Sequence, residues 1–207
     1  MNSYFSRNPA MEALARPFWE PIGQFVMAFG SLEKDIDSGI GILLHPTVWE
    51  SNLIPPQIKN LSARIALLNQ LVVLFSGKDE YRTRANAVTR DARRLNTFRN
   101  NIVHGSWGGH SKPEGNEAFW MKFRDDGNDF RTKLFEVRLS EIVSNTSACN
   151  ETSDSLIALV CDVARLIGKQ NGFVPWFDIP PEQLAQKGRI RDKSPQQDLH
   201  PSRPSQA

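Results

Sequence analysis

Residues 18–43, FWEPIGQFVMAFGSLEKDIDSGIGIL, set the fold class. Phe18, Ile22, Phe25, Phe29, Leu32, Ile36, Ile40 and Leu43 recur at alternating threes and fours, so a long amphipathic helix of about 25 residues is expected. A helix with one oily stripe needs partners to cover it, and three further segments show the same period. Residues 45–56, HPTVWESNLIPP, separate the first from the second with three prolines that cannot continue a helix. Leu61, Ile65, Leu68, Val72 and Phe75 mark the second helix, which Ser76-Gly77 ends, and Asp79 is the expected N-cap of the third. The third carries Tyr81, Ala85, Val88, Ala92, Leu95 and Ile102 on one stripe.

The fourth repeats that register in Ile142, Thr146, Cys149, Ser153, Leu156, Val160, Val163 and Ile167. Its first half is polar where it should be oily, so that half is less buried or faces another polar surface. Residues 170–172, QNG, make a good C-terminal cap. Between the third and fourth helices, residues 117–124 and 130–138 alternate around turn-forming DDGND, which reads as a β-hairpin over about 117–138. Residues 173–181, FVPWFDIPP, read as an extended strap, reaching about residue 185, that docks its aromatics on the helices. From Gln186 to Ala207 the composition is Pro, Ser, Gln and charge, which predicts disorder. The expected fold is mainly α, a single domain over 1–185 built as a four-to-five-helix up-and-down bundle with an inserted β-hairpin.

At 207 residues, 40% hydrophobic and 23% charged, the chain is ordinary for one globular domain with a real core. No apolar run approaches the roughly 18 residues needed to span a bilayer, and the N-terminus lacks the basic-then-hydrophobic order of a secretory signal. Cys149 and Cys161, twelve apart in one helix, stand roughly 18 Å from each other and cannot bridge. Two such cysteines make no metal site, and a reducing cytoplasm suits them. The net charge is +2, but residues 186–207 hold five basic residues against two acidic ones, +3, which leaves the rest of the chain near −1. No global attraction for nucleic acid follows. A local one does: residues 79–104 hold Arg82, Arg84, Arg90, Arg93, Arg94 and Arg99 against Asp79, Glu80 and Asp91, with no lysine. Arginine's planar fork suits phosphate. The same stretch also reads as a solvated helix face.

The third helix ends in Arg99-Asn100-Asn101-Ile102-Val103-His104-Gly105. On its apolar stripe the position between Leu95 and Ile102 falls on Arg99, and a guanidinium aimed inward is costly unless it meets an anion. Phe98 is placed to carry the packing one position earlier. Asn100 and His104, four apart, share a helical face. Arg99 and His104, five apart, sit about 140° around an ideal helix. They are expected to converge only if Gly105 unwinds the end or a second subunit supplies the other half.

Arg, a polar residue, three more residues and then His-Gly at the end of a helix resembles the Arg-x4-6-His signature of the HEPN superfamily, which favours Asn, Asp or His directly after the Arg. Phe29-Gly-Ser-Leu-Glu33 is similar to the acidic-bearing helix of many members. The motif covers six residues, and the helical layout extends the resemblance over roughly 18–170; the hairpin and the strap depart from it. The resemblance implies a metal-independent endoribonuclease that works as a homodimer and cuts RNA through the ribose 2′-OH, of the kind a toxin or defence effector would carry. It places Arg99, Asn100 and His104 in catalysis, needs no cofactor, and leaves Glu33 as a supporting carboxylate facing either Arg99 or solvent.

The residue types suit that chemistry. RNA's own hydroxyl serves as nucleophile, imidazole moves its proton, and guanidinium stabilises charge on the phosphorane. One chain offers a single well-placed His where the reaction needs a base and an acid, so dimerisation is expected. Arg94, Trp107 and His110 are the candidates for contact with substrate, Trp107 by stacking a base; packing for Trp107 and a solvated loop for His110 are the plainer readings. His45 reads as a surface residue. The alternative function is a non-catalytic HEPN-like module that binds RNA or a protein such as a nucleotidyltransferase antitoxin. A helical interaction protein in which His104 merely caps a helix end is the third.

Overall fold

The computed structural model describes residues 9–45, 58–109, 117–125, 130–181 and 183, with only the backbone course for 9–11, 14, 106–109, 117–125 and 130–135. The chain is mainly helical, with four long helices: α1 (Pro9–Leu44), α2 (Leu61–Ser76), α3 (Asp79–His104) and α4 (Leu139–Asn171). Between α3 and α4 the backbone runs through β1 (Ser106–Gly109), β2 (Glu117–Asp125) and β3 (Phe130–Arg138), antiparallel in the order β1-β2-β3. No described helix is long and apolar enough to cross a membrane.

The stripe that opens the sequence is the centre of the core: Phe18, Phe25, Phe29, Leu32, Ile36, Ile40 and Leu43 are buried and Ile22 packs beside them. α1 nevertheless begins at Pro9, not Phe18, and contains Pro17 and Pro21. Residues 11–16, MEALAR, are strong helix formers, and Met11 and Leu14 continue the three-and-four spacing back from Phe18, so the helix starts earlier than the stripe from Phe18. α2 begins at the expected place because Asn60 caps it, its side chain accepting from the Ser62 amide at 2.8 Å. Gly77 ends it in the left-handed conformation that glycine adopts freely, φ 60°. Asp79 is not the cap of α3. Lys78 occupies that position without a side-chain bond, and Asp79 lies in the first turn, where a carboxylate suits the helix dipole.

The helices do not simply alternate in direction. Arg84 on α3 pairs with Asp162 on α4, and Arg94 with Asn145, so α3 and α4 are antiparallel. Ser153 on α4 bonds to Asp35 on α1, and Gly39 lies against Val160, so α1 and α4 run in the same sense. A strict up-and-down order of four helices would oppose them. The connection over residues 45–60 explains the difference, since sixteen extended residues reach about 50 Å, twice the length of α2.

In α4 the polar half is buried: Asn145 and Thr152 are inside with Ile142, Cys149 and Leu156. Its polar partner is Arg94, as one of the two readings expected. Gly172, φ 71°, ends α4. The chain then turns back over the helix, with the Phe173 amide donating to the Gly168 carbonyl at 3.0 Å and Phe173 packing on the core. This segment is not extended throughout, because Trp176–Asp178 form one 3-10 turn. Arg165 clamps that turn through two bonds to Asp178, 2.8 and 2.9 Å, and lies over the Phe177 ring. The disordered tail expected over 186–207 lies outside the described residues.

Candidate functional site

The last two turns of α3 are fixed from the core outward. Leu95 and Ile102 are buried on either side of position 99. Between them Phe98 meets Phe25 of α1 edge-on, with ring centroids 5.1 Å apart and planes at 83°. That geometry suits the positive edge and negative face of aromatic rings. Phe98 therefore takes the packing role its neighbour cannot, and Arg99 is left half-buried at the rim.

Arg99 Nη1 lies 3.2 Å from Asn100 Oδ1 and 3.5 Å from His104 Nε2. The two motif residues five apart thus meet within one chain while α3 remains helical through His104. Convergence does not require unwinding at Gly105, whose backbone is merely extended after the helix ends. The 140° between Arg99 and His104 is measured at the backbone, and the long arginine side chain wraps across it. Guanidinium has only donors, so it bonds Nε2 when the imidazole is neutral with its proton on Nδ1. That orientation holds a lone pair, rather than an N–H, toward the arginine. His104 itself is exposed at the helix end.

Glu33 does not reach Arg99, and it does not sit free in solvent. Together with Asp37 it holds Arg64 of α2, at 3.4 Å from Glu33 and 2.6 Å from Asp37 Oδ1. This cluster ties α1 to α2, and among the described residues Arg99 makes no ion pair with a carboxylate. Arg94 points to the other side of α3, where Nη1 donates to the buried Asn145 Oδ1 at 2.7 Å. It borders a cleft of about 540 Å³ between α3 and α4, also lined by Arg84, Asp91, Glu151, Thr152 and Ser155. The cleft is lined by both charge signs, and neither Arg99 nor His104 borders it. The backbone of Trp107 lies in β1 opposite Trp120. His110 lies outside the described residues. His45 is exposed just past α1.

Among the described residues no group of His, Cys, Asp and Glu is arranged to hold a metal. Both cysteines are free, and burial pushes the Cys149 thiol up to about 11 against the partial offset of Arg94. A thiol held protonated is a poor nucleophile. At the end of α3, Arg99, Asn100 and His104 bring together a guanidinium, an amide and an imidazole. Phe25 is the residue that sequence reading left out of the site; its signal was the neighbouring Phe98, which needed a partner. No family model matches the chain, and neither a curated protein nor a solved structure matches it.

Proposed function

We propose that this protein is a metal-independent endoribonuclease of the HEPN type, with Arg99, Asn100 and His104 as its catalytic residues. The contact of Arg99 with both Asn100 and His104 at one exposed helix end carries the reading. In the reaction, Arg99 turns its Nη1–H from His104 Nε2 to the bound phosphate, and the freed Nε2 takes the proton from a ribose 2′-OH while O2′ forms a bond to phosphorus. The P–O5′ bond breaks, and the leaving O5′ takes a proton from a second acid. Arg99 stabilises the charge on the non-bridging oxygens, and Asn100 holds Arg99 in place.

One chain supplies one such imidazole, so the second acid comes from a second copy, and a homodimer is part of the proposal. The 117–138 hairpin is then an arm inserted beside the site, and a cytoplasmic toxin or defence role fits growth arrest by RNA cleavage. The test is incubation of the purified protein with RNA in EDTA. Cleavage leaving 2′,3′-cyclic phosphate ends, by a protein that is dimeric in light scattering at micromolar concentration, is the expected result. Intact RNA with and without divalent metals refutes cleavage and leaves binding of RNA or of a nucleotidyltransferase-type partner as the function.

A further inference from the structure

The face of α3 that leads to His104 opens with Asp79 and from Arg82 onward carries no carboxylate. On a helix of 3.6 residues per turn, Arg82, Asn86, Arg90, Arg93, Thr97 and Asn100 all fall within about 40° of His104. No other residue of α3 from Arg82 onward shares that sector. Every one of them is exposed except Asn100, which is half-exposed. The sector holds three guanidiniums, no carboxylate and no apolar side chain over about 33 Å at 1.5 Å per residue. It ends where Arg99 reaches Asn100 and His104. In a chain whose body outside the last 22 residues is close to neutral, this is a localised concentration of positive charge.

These guanidiniums are free to change partners. Arg82 meets Asp79 at 3.1 Å and Arg90 meets Asp91 at 3.5 Å, and all four side chains are well exposed. Such surface pairs contribute little and give way readily to a stronger anion. Arg93 makes no ion pair among the described residues. The nearest carboxylate in sequence, Asp91, projects about 140° away from the His104 direction.

We infer that this stripe is the track for the backbone of a single RNA strand, leading it along α3 into the Arg99–His104 site. The inference rests on the ribonuclease reading and specifies how substrate is held. A flexible strand can lay successive phosphates along one line, and arginine forks are suited to grip them. The stripe has no aromatic residue, so bases are not stacked on it. Contacts to phosphate position a strand without reading its sequence, and whatever selects the cleavage site lies off this face.

The test compares two triple variants in a His104→Ala background, where the probe is not cut. One removes the stripe, Arg82→Gln/Arg90→Gln/Arg93→Gln. The other removes the same charge elsewhere, Lys34→Gln/Lys59→Gln/Lys169→Gln, all exposed positions on α1, before α2 and on α4. Binding of a labelled 12-nucleotide oligouridylate is followed by fluorescence anisotropy across a salt series, with circular dichroism to confirm the fold. Loss of three phosphate contacts lowers the slope of log affinity against log salt by about 2, since each contributes about 0.7 on a single strand. The stripe variant is expected to bind at least about tenfold more weakly at low salt, and the control variant to bind within about twofold of its parent. Equal loss in both variants, or none in the stripe variant, overturns the track even while the unsubstituted protein still cuts RNA. Absence of both cleavage and binding in the unsubstituted protein overturns the ribonuclease reading, and the track with it.

Discussion

Replacing Arg94 by methionine is expected to destabilise the protein, and removing Asn145 as well is expected to restore most of what is lost. Asn145 is 5% exposed, and its Oδ1 accepts from Arg94 at 2.7 Å while its Nδ2 donates to the Glu141 carbonyl. Taking away the arginine leaves a buried acceptor without its donor, which costs about 1–3 kcal/mol. Arg94 borders a cleft, so water that follows the lost guanidinium would put the loss in the lower part of the range, about 1–2 kcal/mol. For a chain of this size that lowers the melting temperature by about 2–8 °C. The double variant Arg94→Met/Asn145→Ala has no orphaned acceptor, so thermal melts of the two singles and the double should show strong non-additivity. Additive losses would refute the reasoning. The same variants separate two roles for Arg94: a structural arginine changes melting temperature while leaving the KM for RNA where it was.

Gly168→Ala is expected to loosen the strap after α4, because a Cβ there would lie 2.6 Å from the Phe173 carbonyl oxygen and 3.2 Å from Pro175. The helix gains about 1 kcal/mol from alanine, less than the overpacking loss of about 1–3 kcal/mol, and a red shift of tryptophan emission would report Trp176 released. Arg165 holds the Asp178 carboxyl below its ordinary 3.8. The stability this contributes is present above that value and lost as pH falls through the lower folded value, so Asp178→Asn should flatten the acid end of a melting-temperature profile. With its thiol raised to about 11 by burial, Cys149 should resist iodoacetamide at neutral pH in the folded protein and react on unfolding. Peptide mass mapping reads that difference.

The parts of the fold carried by one helix at a time were legible, and the parts that depend on how helices meet were not. Burial of Phe18 through Leu43 follows the spacing of the stripe, because a 3.6-residue period is a property of the chain itself. The exchange of Phe98 for Arg99 in the packing was legible for the same reason. The shared sense of α1 and α4 was not, since a long loop permits either direction. Nor were the partners of Arg64 and Arg94, chosen across tens of residues among many carboxylates and amides. Within the site, the identities were readable but the contact was underestimated. A helical wheel places Arg99 and His104 apart, and only the reach of the arginine brings its Nη1 to 3.5 Å from the imidazole. Glu33, read as a neighbour of Arg99 or of solvent, belongs instead to the α1–α2 tie.

RNA cleavage in EDTA by His104→Ala and Arg99→Ala, each measured against the unsubstituted protein, bears most directly on the site at the end of α3. Loss of a proton-transfer group costs about 10²–10⁴-fold in rate, and loss of the phosphorane's guanidinium should do comparable damage. Both variants should keep the helical circular dichroism of the parent, since His104 is exposed and Arg99 lies at the rim of the core. Cleavage that falls by at least about a hundredfold in each folded variant is the expected result; cleavage by folded His104→Ala at the parental rate would contradict it.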